Sequence, residues 1–186
     1  MRLKSVSFKI AVLFLVFTAV FTLFRSSMSG IFSLFYAKNG IPDANIGSIK
    51  SFQNIGIVFG LLPAGYLADR IGRLKVLALS SLVIATSFFI LILFRNFFFF
   101  SAAELLYGIG LALNSGTLLA YVTDLQEQNK IVPSSKLMGM QVIILNLTTL
   151  IGGNIGTWLF GIKDTAPMIV ERNLSLSIGQ LFMLKN

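Results

Sequence analysis

The sequence predicts an all-α bundle of about five helices crossing a membrane. Three observations carry that reading. Apolar types make up 55% of the 186 residues, charged types only 12%, and the apolar residues are gathered into long runs. Mean hydropathy is +0.85. A water-soluble domain carries about 25% charged residues, so this chain cannot clothe a water-facing surface, and a soluble enzyme domain is excluded. Disorder is excluded by the same figures. The runs lack the alternation of a membrane barrel and exceed the length of its strands, which leaves helices.

A crossing helix needs about 20 mostly apolar residues, more when tilted. The first span is expected at about residues 9–37, long and with Arg25 inside it. Lys38-Asn39-Gly40-Ile41-Pro42-Asp43 ends it, because proline cannot continue a helix. The second is expected at 45–68 and the third at 74–94, joined by the charged segment 69–75. Arg95-Asn96 marks a tight turn into the fourth, 97–121. A polar stretch, Asp124 to Ser135 with Pro133, precedes the fifth, 136–160. Residues 1–161 thus form the bundle, and 162–186 read as a non-spanning or atypical tail. Its one apolar stretch, Ser175 to Leu184, suits an interface and is too short to cross. An odd number of crossings followed by such a tail reads as an interrupted larger protein, a frameshift or truncation product. Downstream DNA coding for six or seven further spans would confirm this.

The net charge of +8 is spread in short clusters between apolar runs, not on one compact face, so nucleic acid is not expected as a partner. The clusters instead set sidedness. With a cytoplasmic N-terminus, the inner side holds Arg2, Lys4, Lys9, Arg70, Arg73, Lys75, Lys130 and Lys136. The outer side holds Lys38, Lys50 and Arg95, with Lys50 snorkelling to the interface. A plasma-membrane location follows as the expectation. The basic start followed by an apolar run also fits a signal peptide. Apolarity resumes at Ile31–Tyr36, however, and only a weak cleavage site, Ser27-Met28-Ser29, lies nearby.

Cysteine and histidine are absent. Thiolate or imidazole metal sites, Ser-His-Asp triads and histidine switches are therefore excluded, and no catalytic residue, metal or cofactor is expected. Proton chemistry falls to seven carboxylates: Asp43, Asp69, Glu104, Asp124, Glu127, Asp164 and Glu171. Two ionisable residues lie deep inside spans, Arg25 and Glu104. Each costs about 2.5–3.5 kcal/mol at a helix centre and should face the bundle interior or a wet cavity. At 1.5 Å per residue, Arg25 lies about 18 Å and Glu104 about 11 Å below the outer ends of their spans. An Arg25–Glu104 pair is expected, either as a substrate or proton site or as a purely structural ion pair. Asn114, Ser115, Gln141 and Asn146 are expected to bond between helices or to line a cavity, Tyr36, Tyr107 and Trp158 to sit at an interface or cavity, and Phe97–Phe100 to face lipid.

Residues 65–75 read Gly-Tyr-Leu-Ala-Asp-Arg-Ile-Gly-Arg-Leu-Lys. Gly65 and Gly72 allow close helix approach and a tight reversal. A carboxylate beside two guanidiniums can lock helix ends together and release them, a two-state device. The segment resembles the loop between helices 2 and 3 of the major facilitator superfamily, Gly-x-x-x-Asp-Arg/Lys-x-Gly-Arg/Lys-Arg/Lys. Gly65, Asp69, Arg70, Gly72 and Arg73 match; Leu74 stands where a second basic residue is usual, and Lys75 follows. Tyr107-Gly108-Ile109-Gly110 is similar to the family's Arg-x-x-x-Gly-x-Gly stretch, with Glu104 in place of the arginine. Gly152, Gly153, Gly156 and Gly161 permit close packing, while the proline of the drug/proton antiporter pattern is missing. The resemblance covers residues 8 to about 161. It implies the N-terminal six-helix half of the fold, of which five helices are expected here. It further implies a conformational latch of Asp69, Arg73 and Asp124, and the family's adjacent first and fourth helices on a central cavity.

The function expected from this resemblance is secondary active transport. A permease fragment would move a small organic solute or drug by alternating access, with proton coupling a further expectation. A homodimer or a second transporter half would supply the missing wall. The alternative is a non-transporting membrane assembly or regulatory protein derived from a truncated transporter. An intramembrane enzyme is disfavoured by the residue types available.

Overall fold

A computed structural model describes residues 2–129 and 135–184. Lys130, assigned above to the inner side, lies outside the described residues, as do the side chains of Arg2, Lys4, Lys9 and Lys136. The described chain is an all-α bundle: α1 (Arg2–Ser29), α2 (Ile31–Lys38), α3 (Asp43–Ile71), α4 (Arg73–Leu93), α5 (Phe97–Gln128), α6 (Ser135–Ile162) and α7 (Ala166–Leu184). Among the described residues five stretches are long and apolar enough to cross a membrane, Ile10–Lys38 being one stretch broken at Gly30.

Local chemistry sets the boundaries. Gly40, at φ +80°, and Pro42 separate α2 from α3. Gly72, at φ +95°, joins α3 to α4 in a backbone conformation that side chains disfavour. Asn96 caps α5, its Oδ1 accepting from the Phe99 amide at 3.0 Å. The helices outrun the expected spans at their charged ends: α3 continues to Ile71 and α5 to Gln128. Hydropathy marks the part that suits lipid, whereas backbone hydrogen bonding continues into the wet region.

Glycine determines which helices touch. A Cβ on Gly56 would strike the Leu105 carbonyl, and one on Gly108 would strike the Gln53 carbonyl. Thus α3 and α5 run side by side in the same direction at near-backbone contact. Gly152 and Gly156 do the same for α6 against Leu23 and Ser27 of α1, while Gly153 and Gly161 face open space. The α4 helix runs opposite to α5, with Ile84 against Gly110. In this way α3, α5, α4 and α7 pack in series, and α1 with α6 forms a second group beside them.

The chief apolar core gathers Phe32, Phe35, Tyr36, Phe88, Phe100, Tyr107 and Met168 near the α6–α7 end. Phe97 and Phe98 are exposed, as expected of lipid-facing residues, but Phe100 is fully buried. Tyr36 and Tyr107 are core residues rather than interfacial ones, and Trp158 is exposed. Beyond residue 165 the chain forms a helix of 19 residues, about 28 Å long. It lies antiparallel along α4, with Gly179 against Ala78 and Met168 near Leu91. Its apolar stretch looked too short because Glu171, Arg172 and Asn173 interrupt the hydropathy, yet Glu171 faces the core at 4% exposure.

Candidate functional site

Three polar features stand out from an apolar bundle. The first is buried. Lys50 is seven residues into α3 (Asp43–Ile71) and Glu104 seven into α5 (Phe97–Gln128). These helices start at the same end, so both side chains lie about 10 Å below it. Lys50 Nζ donates to Glu104 Oε1 at 2.5 Å. The Tyr36 hydroxyl from α2 donates to the same oxygen at 2.5 Å. The ammonium also lies 3.6 Å from the centroid of the Phe32 ring, a cation–π contact. Glu104 is 1% exposed, and its Oε2 has no hydrogen-bond partner among the described residues. In so dry a place a lone carboxylate would be costly, and the Lys50 side chain, 27% exposed, answers it.

This corrects two expectations. Glu104 pairs with Lys50 and not with Arg25, and Lys50 turns inward rather than snorkelling outward. The reason is register: the parallel, glycine-mediated α3–α5 contact brings residues 50 and 104 to one depth. Arg25 lies deeper, on another helix. It forms no ion pair among the described residues and is exposed on the side of α1.

The second feature lies at the opposite end of the bundle, around the α3–α4 turn. Arg73 Nε donates to Asp124 Oδ2 at 2.9 Å, and an Arg73 terminal nitrogen lies 3.3 Å from Asp69. One guanidinium therefore bridges the end of α3 to the end of α5. Gly72 makes this geometry by turning the chain so that residue 73 begins α4 beside both acids. Arg70 stacks on Tyr66, 4.8 Å from ring centroid to guanidinium, and stays outside the bridge. A Cβ added at Gly65 would meet nothing within 4 Å, so Gly65 provides no close approach among the described residues.

The third feature is a polar line on α6. Asn146, Thr149, Gly153 and Thr157 recur at helical spacing along an exposed side. Asn146, Thr149 and Thr157 each donate to their own helix, to Val142, Leu145 and Gly153. The bonds expected between helices are thus mostly bonds within one helix, and Asn114 is buried with its Nδ2 unpartnered. Ser26 of α1 reaches Thr149 at 3.4 Å, so this line borders the helix that carries Arg25. Among the described residues no group of three or more acidic, cysteine or histidine side chains is placed to hold a metal.

Sequence reasoning missed Lys50, Tyr36 and Glu171. Equal counting from the starts of α3 and α5 could have found Lys50. Nothing local marks Tyr36, which depends on how α2 leans on α5.

No curated protein and no solved structure matches the chain. The family model described as Major Facilitator Superfamily matches residues 13–166. That match takes in α2 to α6 whole, and the Gly65–Arg73 segment falls at the α3–α4 turn where the family's loop belongs; the chain belongs to the Major Facilitator Superfamily, a family of membrane transporters.

Proposed function

We propose that the chain forms one half of a secondary transporter that moves a small organic solute across the plasma membrane by alternating access. The observation that carries this reading is a set of exposed polar groups on two touching helices: Arg25 on α1, whose neighbour Ser26 reaches Thr149 on α6, and Asn146 and Thr157 on the same helix as Thr149. A guanidinium facing hydrocarbon would cost several kcal/mol, so this side faces a wet cavity. The cavity's other wall comes from a second copy or from a separate second half. The Asp69–Arg73–Asp124 bridge is the latch, closed as seen here and broken when the α3 and α5 ends part. The N-terminus and the α3–α4 turn lie in the cytoplasm, in keeping with the excess of Lys and Arg on that side. Proton coupling completes the reading, since buried carboxylates are present.

The test is uptake into vesicles containing the purified chain. A panel of labelled small organic solutes is offered under an imposed pH gradient. Uptake of at least one solute, lost in Arg25→Ala, is the expected result. If no solute enters while the chain is folded and self-associated, the non-transporting assembly is the correct reading. An impermeant reagent should label a cysteine placed at Lys75 only after the membrane is opened.

A further inference from the structure

Glu171 takes no part in the contacts described so far. It follows Met168 by three residues on α7, and Met168 belongs to the core that holds Phe88, Leu91 and Tyr107. One helical turn therefore keeps residue 171 on that same inward side. The residue is 4% exposed, and its Oε2 has no hydrogen-bond partner among the described residues.

The charged and titratable groups around it are few. From α5 come Tyr107 and Glu104, and Glu104 is already held by Lys50. From α1 comes Arg25, whose charge reaches Tyr107. On α4, Ala78 lies against Gly179, so Lys75 sits beyond that point, at least about 12 Å along α7 from residue 171. Arg73 is engaged by Asp69 and Asp124 at the far end. At the α6–α7 turn Asp164 faces Lys38 and Arg95, and Lys163 is exposed. Arg172, next in sequence, holds Asn173. Among the described residues, Glu171 forms no ion pair.

An ionised carboxylate with a buried, unpartnered oxygen is expensive, and a buried group without a counter-charge takes its neutral form instead. Two carboxylates share this core, and they differ in that respect. Glu104 cannot change charge without breaking its pair with Lys50; Glu171 can. We propose that Glu171 is a proton-binding site, separate from the Lys50–Glu104 pair, that holds one proton while α7 lies against α4 and gives it to water when the first turns of α7 are wetted. The step is a simple exchange of one proton between the carboxyl oxygen and water. Its use in coupling rests on the transporter reading above; the protonation itself does not.

The experiment is infrared spectroscopy of the full chain in lipid discs at neutral and alkaline pH. The expected result is a carbonyl band of a protonated carboxylic acid at neutral pH. It should be present in the wild type and in Glu104→Gln, and absent in Glu171→Gln. No acid band in the wild type, or a band that survives Glu171→Gln, overturns the proposal. Circular dichroism reports whether each variant folds. If Glu171→Gln does not, Glu171→Asp takes its place: a displaced band supports the site, and an unmoved band overturns it. A chain that transports nothing but shows the band leaves this site standing while removing the transporter reading.

Discussion

Two of the ionic clusters among the described residues share their chemistry and differ in their acids, the cations being alike at 27% exposure for Lys50 and 25% for Arg73. Lys50, Glu104 and Tyr36 meet in the core, where Glu104 is 1% exposed. Asp69, Arg73 and Asp124 meet at the α3–α4 end, where the Asp69 and Asp124 side chains are 71% and 40% exposed. Their shortest contacts are similar, 2.5 Å and 2.9 Å. Their energetics are not. An exposed pair contributes about 0–1 kcal/mol and is screened by salt. Removing one partner of a buried pair strands the other and costs about 3–5 kcal/mol. On the transport reading proposed above, contacts that open and close belong at the wet end. The buried cluster is a fixture that keeps α2, α3 and α5 in register.

The comparison breaks most sharply at Glu104. Glu104→Ala should destabilise the chain by about 3–5 kcal/mol, read as a lowered unfolding midpoint in detergent. The paired change Lys50→Leu with Glu104→Leu should recover most of that loss, because no charge is then left alone. A double variant as unstable as the single one would mean that the pair is not the source. Tyr36→Phe removes one hydrogen bond to a charged oxygen and should cost about 1.5–3 kcal/mol in the same assay.

Glycine substitutions sharpen the contrast between packed and open faces. Gly156→Ala places a methyl against the Ser27 carbonyl and should cost about 1–3 kcal/mol. Gly153→Ala meets nothing within 4 Å and should change the midpoint little. The smallest effect on stability is expected for Arg73→Ala, within about 1 kcal/mol. A cysteine beside Asp124 should nevertheless react faster with a water-soluble thiol reagent in that variant. Equal rates with and without Arg73 would show that the bridge holds nothing closed.

Hydropathy and turn chemistry made the five long helices and their order legible, because lipid imposes length and composition on a span. The Asp69–Arg73–Asp124 contact was legible too, since Gly72 and the local charge pattern nearly fix it and the family resemblance supplied Asp124. The buried pair was misread. Arg25 and Glu104 were matched by approximate depth alone, whereas partner choice depends on which helices touch. That is decided by Gly56 and Gly108, whose role as a contact between α3 and α5 no single-span reading contains. Glu171 was passed over for a related reason. A charged residue lowers hydropathy wherever its side chain points, so hydropathy could not show that Glu171 on α7 faces the core; α7 is not among the stretches apolar enough to cross.

Asp164 invites one last consideration. It stands 3.8 Å from the Lys38 ammonium and 3.7 Å from the Arg95 guanidinium, while Arg95 also reaches Asn39 at 3.2 Å. One acid thus tethers three separate corners of the chain: the end of α2, the α4–α5 corner and the α6–α7 corner. Neither tether is short enough to be a directed hydrogen bond, so each tolerates small shifts, yet all three corners are drawn to the same point. Neutralising this single side chain would release two cations at once and free the α6–α7 corner, leaving the Arg95–Asn39 bond to join the other two.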